Sequence, residues 1–287
     1  MIAVAKHELS GYFHSLTAYI FSAFLLAFVG VGAMLYNIQS AVANFEYVLR
    51  FVCLGFVVIV PVLTMRVLAE ERKQKTDQLL YSLPVSTSQI IVGKYLALLA
   101  VYLVPLIVIC FYPLIFSQFG EVYLLTSYGS LFAFFLLGAA LISIGMFISS
   151  LTDSVGFAAG ITVPVILLNY YSVTLAEYVS STAAGSFVAM LLIVLLLALV
   201  IRYVTGSVRP AAVVGGILAV VLIALFVLNQ TMFEGLLPNI MTQLSLFERF
   251  YKFVNGVFDL TGIVYYVTVI AFFLFLSVQS LEKRRYN

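Results

Sequence analysis

Tryptophan is absent from this sequence, and cysteine and histidine occur only twice each. Each shortage removes a class of function. Cys53 and Cys110 both fall within long apolar runs, where neither a disulfide framework nor a metal site is expected, so they read as lipid-facing or packing residues. His7 and His14 lie near the N-terminus without an H-E-x-x-H pattern, which leaves a metalloprotease no ligand set. Charged residues make up 9% of the chain, with a net charge of +2, against about 25% in soluble domains. The basic residues stand in short clusters, so a nucleic acid would find no continuous patch. A G-x-x-x-x-G-K-[ST] loop is also missing: Gly93-Lys94 lacks the upstream glycine and runs on into Tyr95. The chain is therefore not expected to hydrolyse ATP, and no cofactor is expected in it.

Apolar side chains are abundant. They account for 64% of the 287 residues, and the mean hydropathy is +1.17. Runs such as Val188 to Val200 are apolar on every face, which suits helices in lipid and not the alternating strands of a membrane barrel. A helix needs about 20 apolar residues to cross a hydrocarbon layer about 30 Å thick. The fold class is thus all-α, a polytopic transmembrane bundle of about eight spans within a range of about six to eight. The predicted spans are 15–36, 51–69, 91–116, 127–150, 155–176, 184–204, 211–229 and 261–281. No linker, low-complexity tract or repeat divides the chain, so 1–287 reads as one permease-like membrane domain. Lys6 and Glu8 precede the first apolar run and no small-residue cleavage motif follows it, so no removed signal peptide is expected.

Charge sets the orientation. With the N-terminus in the cytoplasm, eleven basic residues lie inside or at the inner boundary: Lys6, Arg66, Arg72, Lys73, Lys75, Lys94, Arg202, Arg209, Lys283, Arg284 and Arg285. Three, Arg50, Arg249 and Lys252, remain outside. That bias is what the positive-inside rule demands, and it places both termini in the cytoplasm. No Asp, Glu, Lys, Arg or His falls at the centre of a predicted span, which counts against an ion-coupled carrier.

Three segments outside the spans carry the functional expectations. Residues 2–13 place Ile2, Ala5, Leu9, Tyr12 and Phe13 on one helical face, with Lys6, Glu8 and the histidines elsewhere, as a helix lying in the membrane surface would. The inner loop 70–90 gathers Glu70, Glu71, Arg72, Lys73 and Lys75 and then presents Leu79, Leu80 and Leu83. There Thr76 is the expected cap of a short helix with Asp77 in its first turn, and Pro84 ends it. Ser86 and Gln89 form a capping box for the next span. Such a loop is either a solvated connector or the receiver of a push from a soluble motor. Over 230–260, Leu244, Phe247, Phe250, Tyr251 and Val254 recur at helical spacing, predicting an outer interfacial or re-entrant helix. Asn169 and Tyr170, near the outer end of the fifth predicted span, either line a substrate path or anchor the interface. Gly138, Gly145, Gly156 and Gly160 are expected to let helices approach closely.

Glu70-Glu71-Arg72, then Thr76-Asp77-Gln78-Leu79-Leu80, then Leu83-Pro84-Val85-Ser86 with Gly93-Lys94 resembles the coupling region of ABC-2 type permeases. Lys6-His7-Glu8-Leu9 with Tyr12-Phe13, Phe247-Glu248-Arg249-Phe250, Asn255 to Leu260 and Leu281 to Arg285 resemble the gliding-motility branch of that family. Lys75 departs from it, standing where a glycine is usual. The resemblance implies a permease in the cytoplasmic membrane of a prokaryote, working with cytoplasmic ATP-binding cassette subunits that hold ATP and Mg. It also implies a second permease subunit, as homo- or heterodimer, export as the direction, and Glu70, Glu71, Arg72 and the 76–83 helix as motor contacts. An accessory protein on the outer face would meet 230–260. The alternative is a membrane scaffold or assembly factor that docks a soluble partner through the same loop without transport.

Overall fold

In a computed structural model of the chain, the described residues are 2–75, 86–205 and 208–285. Every regular element among them is helical. They form two compact units, one of residues 1–170 and 246–287, the other of 171–245. Six helices are long and apolar enough to cross a membrane: Leu16–Gln39, Glu46–Lys73, Thr87–Phe116, Leu124–Leu151, Val155–Tyr178 and Leu260–Arg284. A seventh exists if Ala212–Leu228 and Gln230–Leu244, bent by 118°, count as one. Six or seven spans among the described residues fall within the expected range of about six to eight. The predicted 211–229 span corresponds to a helix over Val208–Leu228 that ends at the bend, and the predicted 184–204 span to a helix over Ala183–Thr205.

The first unit opens with α1 (Ile2–His14), separated from α2 (Leu16–Gly32) by an extended Ser15. A π-helical turn, Ala33–Gln39, ends that span. Next come α3 (Glu46–Thr64), the short α4 (Ala69–Lys73), α5 (Thr87–Ile109), α6 (Phe111–Phe116), α7 (Leu124–Leu151) and α8 (Val155–Tyr178). The α5–α6 break at Cys110 precedes Pro113, which has no N–H to give the Ile109 carbonyl. Ser86 Oγ accepts the Gln89 N–H at 3.3 Å, the expected cap of α5.

The core of this unit is α7. Of its apolar window, 83% is buried, against 17% for the last span, so α7 is central and the last span peripheral. Small residues make this possible. A Cβ on Gly138 would stand 2.5 Å from the Tyr102 ring of α5, and one on Gly145 would overlap Thr64 of α3. Tyr102 donates to the Phe134 carbonyl at 2.8 Å and Tyr95 to that of Ala139 at 3.0 Å. Such hydroxyls hold helices together where lipid offers no competing water. Phe56 stacks on Phe134 at 4.7 Å. Gly156 and Gly160, by contrast, have nothing within 4 Å, so their spacing makes no close approach among the described residues. Cys53 is buried and Cys110 half-buried, both free.

After α8 the second unit contains α9 (Ala183–Thr205), α10 (Val208–Leu228), a 3-10 turn Gln230–Phe233 and α11 (Leu236–Leu244). Phe187 stacks on Phe226 at 4.3 Å and both meet Phe233 edge-on. The first unit resumes with α12 (Leu246–Val254) and α13 (Leu260–Arg285). The outer interfacial or re-entrant helix expected over 230–260 is thus three separate pieces. The break at Ser245 leaves Leu244 exposed, while Leu246, Phe247, Phe250, Phe253 and Val254 form the buried face of α12. That face enters the core, where Ser130 of α7 donates to the Phe253 carbonyl at 3.0 Å.

Candidate functional site

Four contacts bring the termini of several helices to one end of the first unit. Ser149 Oγ, near the end of α7, accepts the N–H groups of Leu68 and Ala69, each at 3.2 Å, and donates to the Met65 carbonyl at 3.1 Å. These bonds satisfy backbone groups in the α3–α4 turn, as helix termini require. Thr87, first in α5, donates to Glu282 of α13 at 2.8 Å. Ser280 of α13 donates to the Ser150 carbonyl at 2.9 Å, and Arg284 pairs with Asp153 beyond α7 at 2.5 Å.

At the centre of this end lies Lys94. It stands two turns into α5 and is 1% exposed. Its Nζ donates to Glu8 Oε1 of α1 at 2.7 Å and to Glu71 Oε1 of α4 at 2.5 Å. One buried ammonium therefore joins the N-terminal helix and the short loop helix to a span of the core. A buried cation requires such partners, and carboxylates from two elements supply them. Beside the junction a groove of about 400 Å³ is lined by Glu8, Gly11 and Tyr12 of α1 and by Arg66, Glu70, Glu71 and Gln74. Burial, with the charges of Glu8, Glu71 and Glu70 behind it, pushes the Tyr12 hydroxyl well above its ordinary range, so it stays a neutral donor. Arg66 and Glu70 approach only to 3.9 Å on the exposed rim and contribute little.

Of the expected surface-helix residues, Leu9, Tyr12 and Phe13 pack against the core and Lys6 is exposed. The inward face of α1 differs in part from the expected one: Ile2 is 77% exposed, while Val4 and Glu8 turn inward. Ala5, Leu9, Tyr12 and Phe13 keep the expected face, and Glu8 beside them reaches Lys94. Of the expected motor contacts, Glu70, Glu71 and Arg72 form α4, with Arg72 buried. Thr76, Asp77, Leu79, Leu80, Leu83 and Pro84 lie outside the described residues. Lys75, at the C-terminal end of α4, has φ 57°, the left-handed region that favours glycine.

The path candidates belong to the opposite end. Asn169 Oδ1 accepts the Leu246 N–H at 3.0 Å, at the start of α12, and the Tyr170 ring meets Phe247 edge-on at 5.0 Å. Arg50 lies over the Tyr251 ring at 4.8 Å and Arg249 over Tyr265 at 4.1 Å. Arg50 sits one turn inside α3 because that helix begins at Glu46, earlier than expected. No group of three or more metal-ligating side chains occurs among the described residues.

The model of the ABC-2 family transporter proteins matches residues 29–175, just over half of the chain. The chain belongs to the ABC-2 transporter family. It is a multi-pass membrane protein and the permease type of subunit, not a catalytic one. No curated protein matches the sequence. The matched residues run from the end of α2 into α8 and so include Glu71 and Lys94 but not Glu8. Lys94 is the residue whose role sequence reasoning missed, since it figured there only as an inner-boundary charge and as part of Gly93-Lys94. A lone lysine one turn inside an apolar run was the available signal, because such a residue demands a buried partner.

Proposed function

We propose that this permease moves cargo outward across the cytoplasmic membrane of a prokaryote, driven by ATP hydrolysis on separate subunits that hold ATP and Mg. Those subunits dock on the end that carries α1, α4 and Lys94. The observation that carries this reading is the Glu8–Lys94–Glu71 junction. Force applied to α1 or α4 passes through one ammonium into α5 and so to α7, the buried centre of the bundle. The charge bias supports the orientation: Lys6, Arg66, Arg72, Lys73, Lys75, Lys94, Lys283 and Arg284 mark the motor end, and Arg50, Arg249 and Lys252 the other. That is the positive-inside pattern, with both termini cytoplasmic. The resemblance at both ends of the sequence supports the gliding-motility branch, and a second permease subunit completes the pathway.

The test is co-purification of the tagged chain in mild detergent, followed by mass spectrometry and an ATPase assay. A stoichiometric phosphate-loop ATPase is expected, and Glu70→Lys with Glu71→Lys should uncouple its turnover from transport. Reproducible absence of any ATPase from the folded chain would overturn the reading in favour of a scaffold. Full coupling in the charge-reversed variant would remove α4 from the motor contact.

A further inference from the structure

At the end opposite Lys94, α3 opens with an acid that no charge neutralises. Glu46 is 2% exposed, and its Oε2 is buried without a hydrogen-bond partner. Ser127, in the first turn of α7, is the side chain that faces it. The Ser127 Oγ is likewise buried and unpartnered. The elements around α3 offer no counter-charge. The only titratable side chains of α2 and the π turn are Tyr19 and Tyr36. The only one of α7 is Tyr128, whose hydroxyl donates to the Cys110 carbonyl at 3.1 Å. On α3 itself Tyr47 is exposed, and Arg50 is engaged with Tyr251 of α12. On α12, Arg249 lies over Tyr265, Lys252 pairs with Asp259, and Glu248 is half-buried.

A carboxylate stripped of water and lacking a counter-charge is far costlier to bury than the neutral acid. The neutral acid also gains an O–H donor, which the Ser127 Oγ can accept. The Ser127 O–H can also donate to the carboxylate, but only the neutral acid avoids burying an uncompensated charge. We propose that Glu46 and Ser127 form a proton-binding site that holds the α3–α7 seam closed at this end. Glu46 is the carboxylic acid while the helices are packed and a carboxylate once they part and water enters. Opening of the seam releases one proton and is favoured by an alkaline medium on that side. The site involves neither the Lys94 junction nor a motor subunit, so it stands or falls independently of the transport reading.

The experiment uses the full chain in lipid nanodiscs. Infrared spectra of the wild type at neutral pH should contain a carboxylic-acid C=O stretch that disappears in Glu46→Gln, shifts in Glu46→Asp and moves in Ser127→Ala. Hydrogen exchange at residues 124–130, as the ratio of wild type to Glu46→Gln, should rise about tenfold per pH unit while opening costs one proton. Absence of the band from the wild type at neutral pH, its survival in Glu46→Gln, or a flat exchange ratio would overturn the proposal. The wild-type band and its loss in alkali decide the matter even where a variant fails to fold.

Discussion

Replacing Lys94 with Met keeps the length of the stem and removes the ammonium, which isolates the energetic role of the junction. Nζ makes two charge-assisted hydrogen bonds, each of a type that contributes about 1.5 to 3 kcal/mol. Removing one partner from a fully buried ion pair costs about 3 to 5 kcal/mol. The carboxylates here retain 18% and 24% side-chain exposure, so water recovers part of their solvation. The expected cost of Lys94→Met is therefore about 2 to 3 kcal/mol. At about 2 °C per kcal/mol for a chain of this size, the melting temperature should fall by about 4 to 6 °C. Cys53 makes the assay direct: it is free and wholly buried, so a thiol-reactive dye reports its exposure on melting, with Cys110→Ser removing the half-buried second thiol. Adding Glu8→Gln and Glu71→Gln to Lys94→Met removes the stranded charges and should restore at least half of the loss. A single variant that melts within about 1 °C of the wild type, or a triple variant no better than the single, would refute a buried ionic junction.

Lys75→Gly should stabilise the chain by about 0.5 to 1 kcal/mol, because the left-handed penalty of a side chain exceeds the entropy glycine loses; a lower melting temperature would contradict the φ of 57°. Gly138→Ala should cost about 1 to 3 kcal/mol through overlap with the Tyr102 ring, whereas Gly129→Ala, with nothing within 4 Å, should be neutral or mildly stabilising in the same thermal melt. Asp259 accepts from Lys252 at 3.1 Å and from the Thr261 N–H at 2.9 Å as the cap of α13. The bond from Lys252 holds its carboxyl below the usual range. Its contribution is therefore full above the unfolded value of about 3.9 and is lost as the pH falls through the lower folded value. Asp259→Ala should cost about 0.5 to 2 kcal/mol at neutral pH, and its difference from the wild type should vanish in strong acid; a constant difference would mean that the carboxylate is not the stabilising group.

The fold class was legible because lipid imposes one rule on every span: backbone groups must pair within the segment, so apolar length alone identifies a helix. That rule says nothing about where a helix bends or which helix is central. The polar run Asn229-Gln230-Thr231 marks the end of the span, but nothing in it specifies the 118° turn that follows Leu228. The central place of α7 rests on Gly138 and Gly145 receiving Tyr102 and Thr64. The glycine spacing pointed to close packing but named no partner, and the equally suggestive Gly156 and Gly160 meet nothing among the described residues. Small residues permit an approach and do not choose it.

The site was legible in pieces and not as a whole. Glu8 belonged to a surface helix, Glu71 to a charged loop and Lys94 to the start of a span, and each had a sufficient local explanation: amphipathicity, the positive-inside bias, a motif match. Only the fold brings residues 8, 71 and 94 within a hydrogen bond of one another. The general principle still contained the answer, since a lysine buried in an apolar run requires acids and the chain has only 12 Asp and Glu in all, of which few lie near a helix end on the same side. Glu46 marks the limit of that search. It precedes the predicted 51–69 span, so its position in the sequence gives no hint of burial; the helix start at Glu46 turns an ordinary loop carboxylate into an acid with no counter-charge. The two groups then have opposite characters. Lys94 is compensated and resists separation of α1, α4 and α5 at any pH where its partners are ionised, whereas Glu46 lacks compensation and holds α3 to α7 only while it keeps a proton.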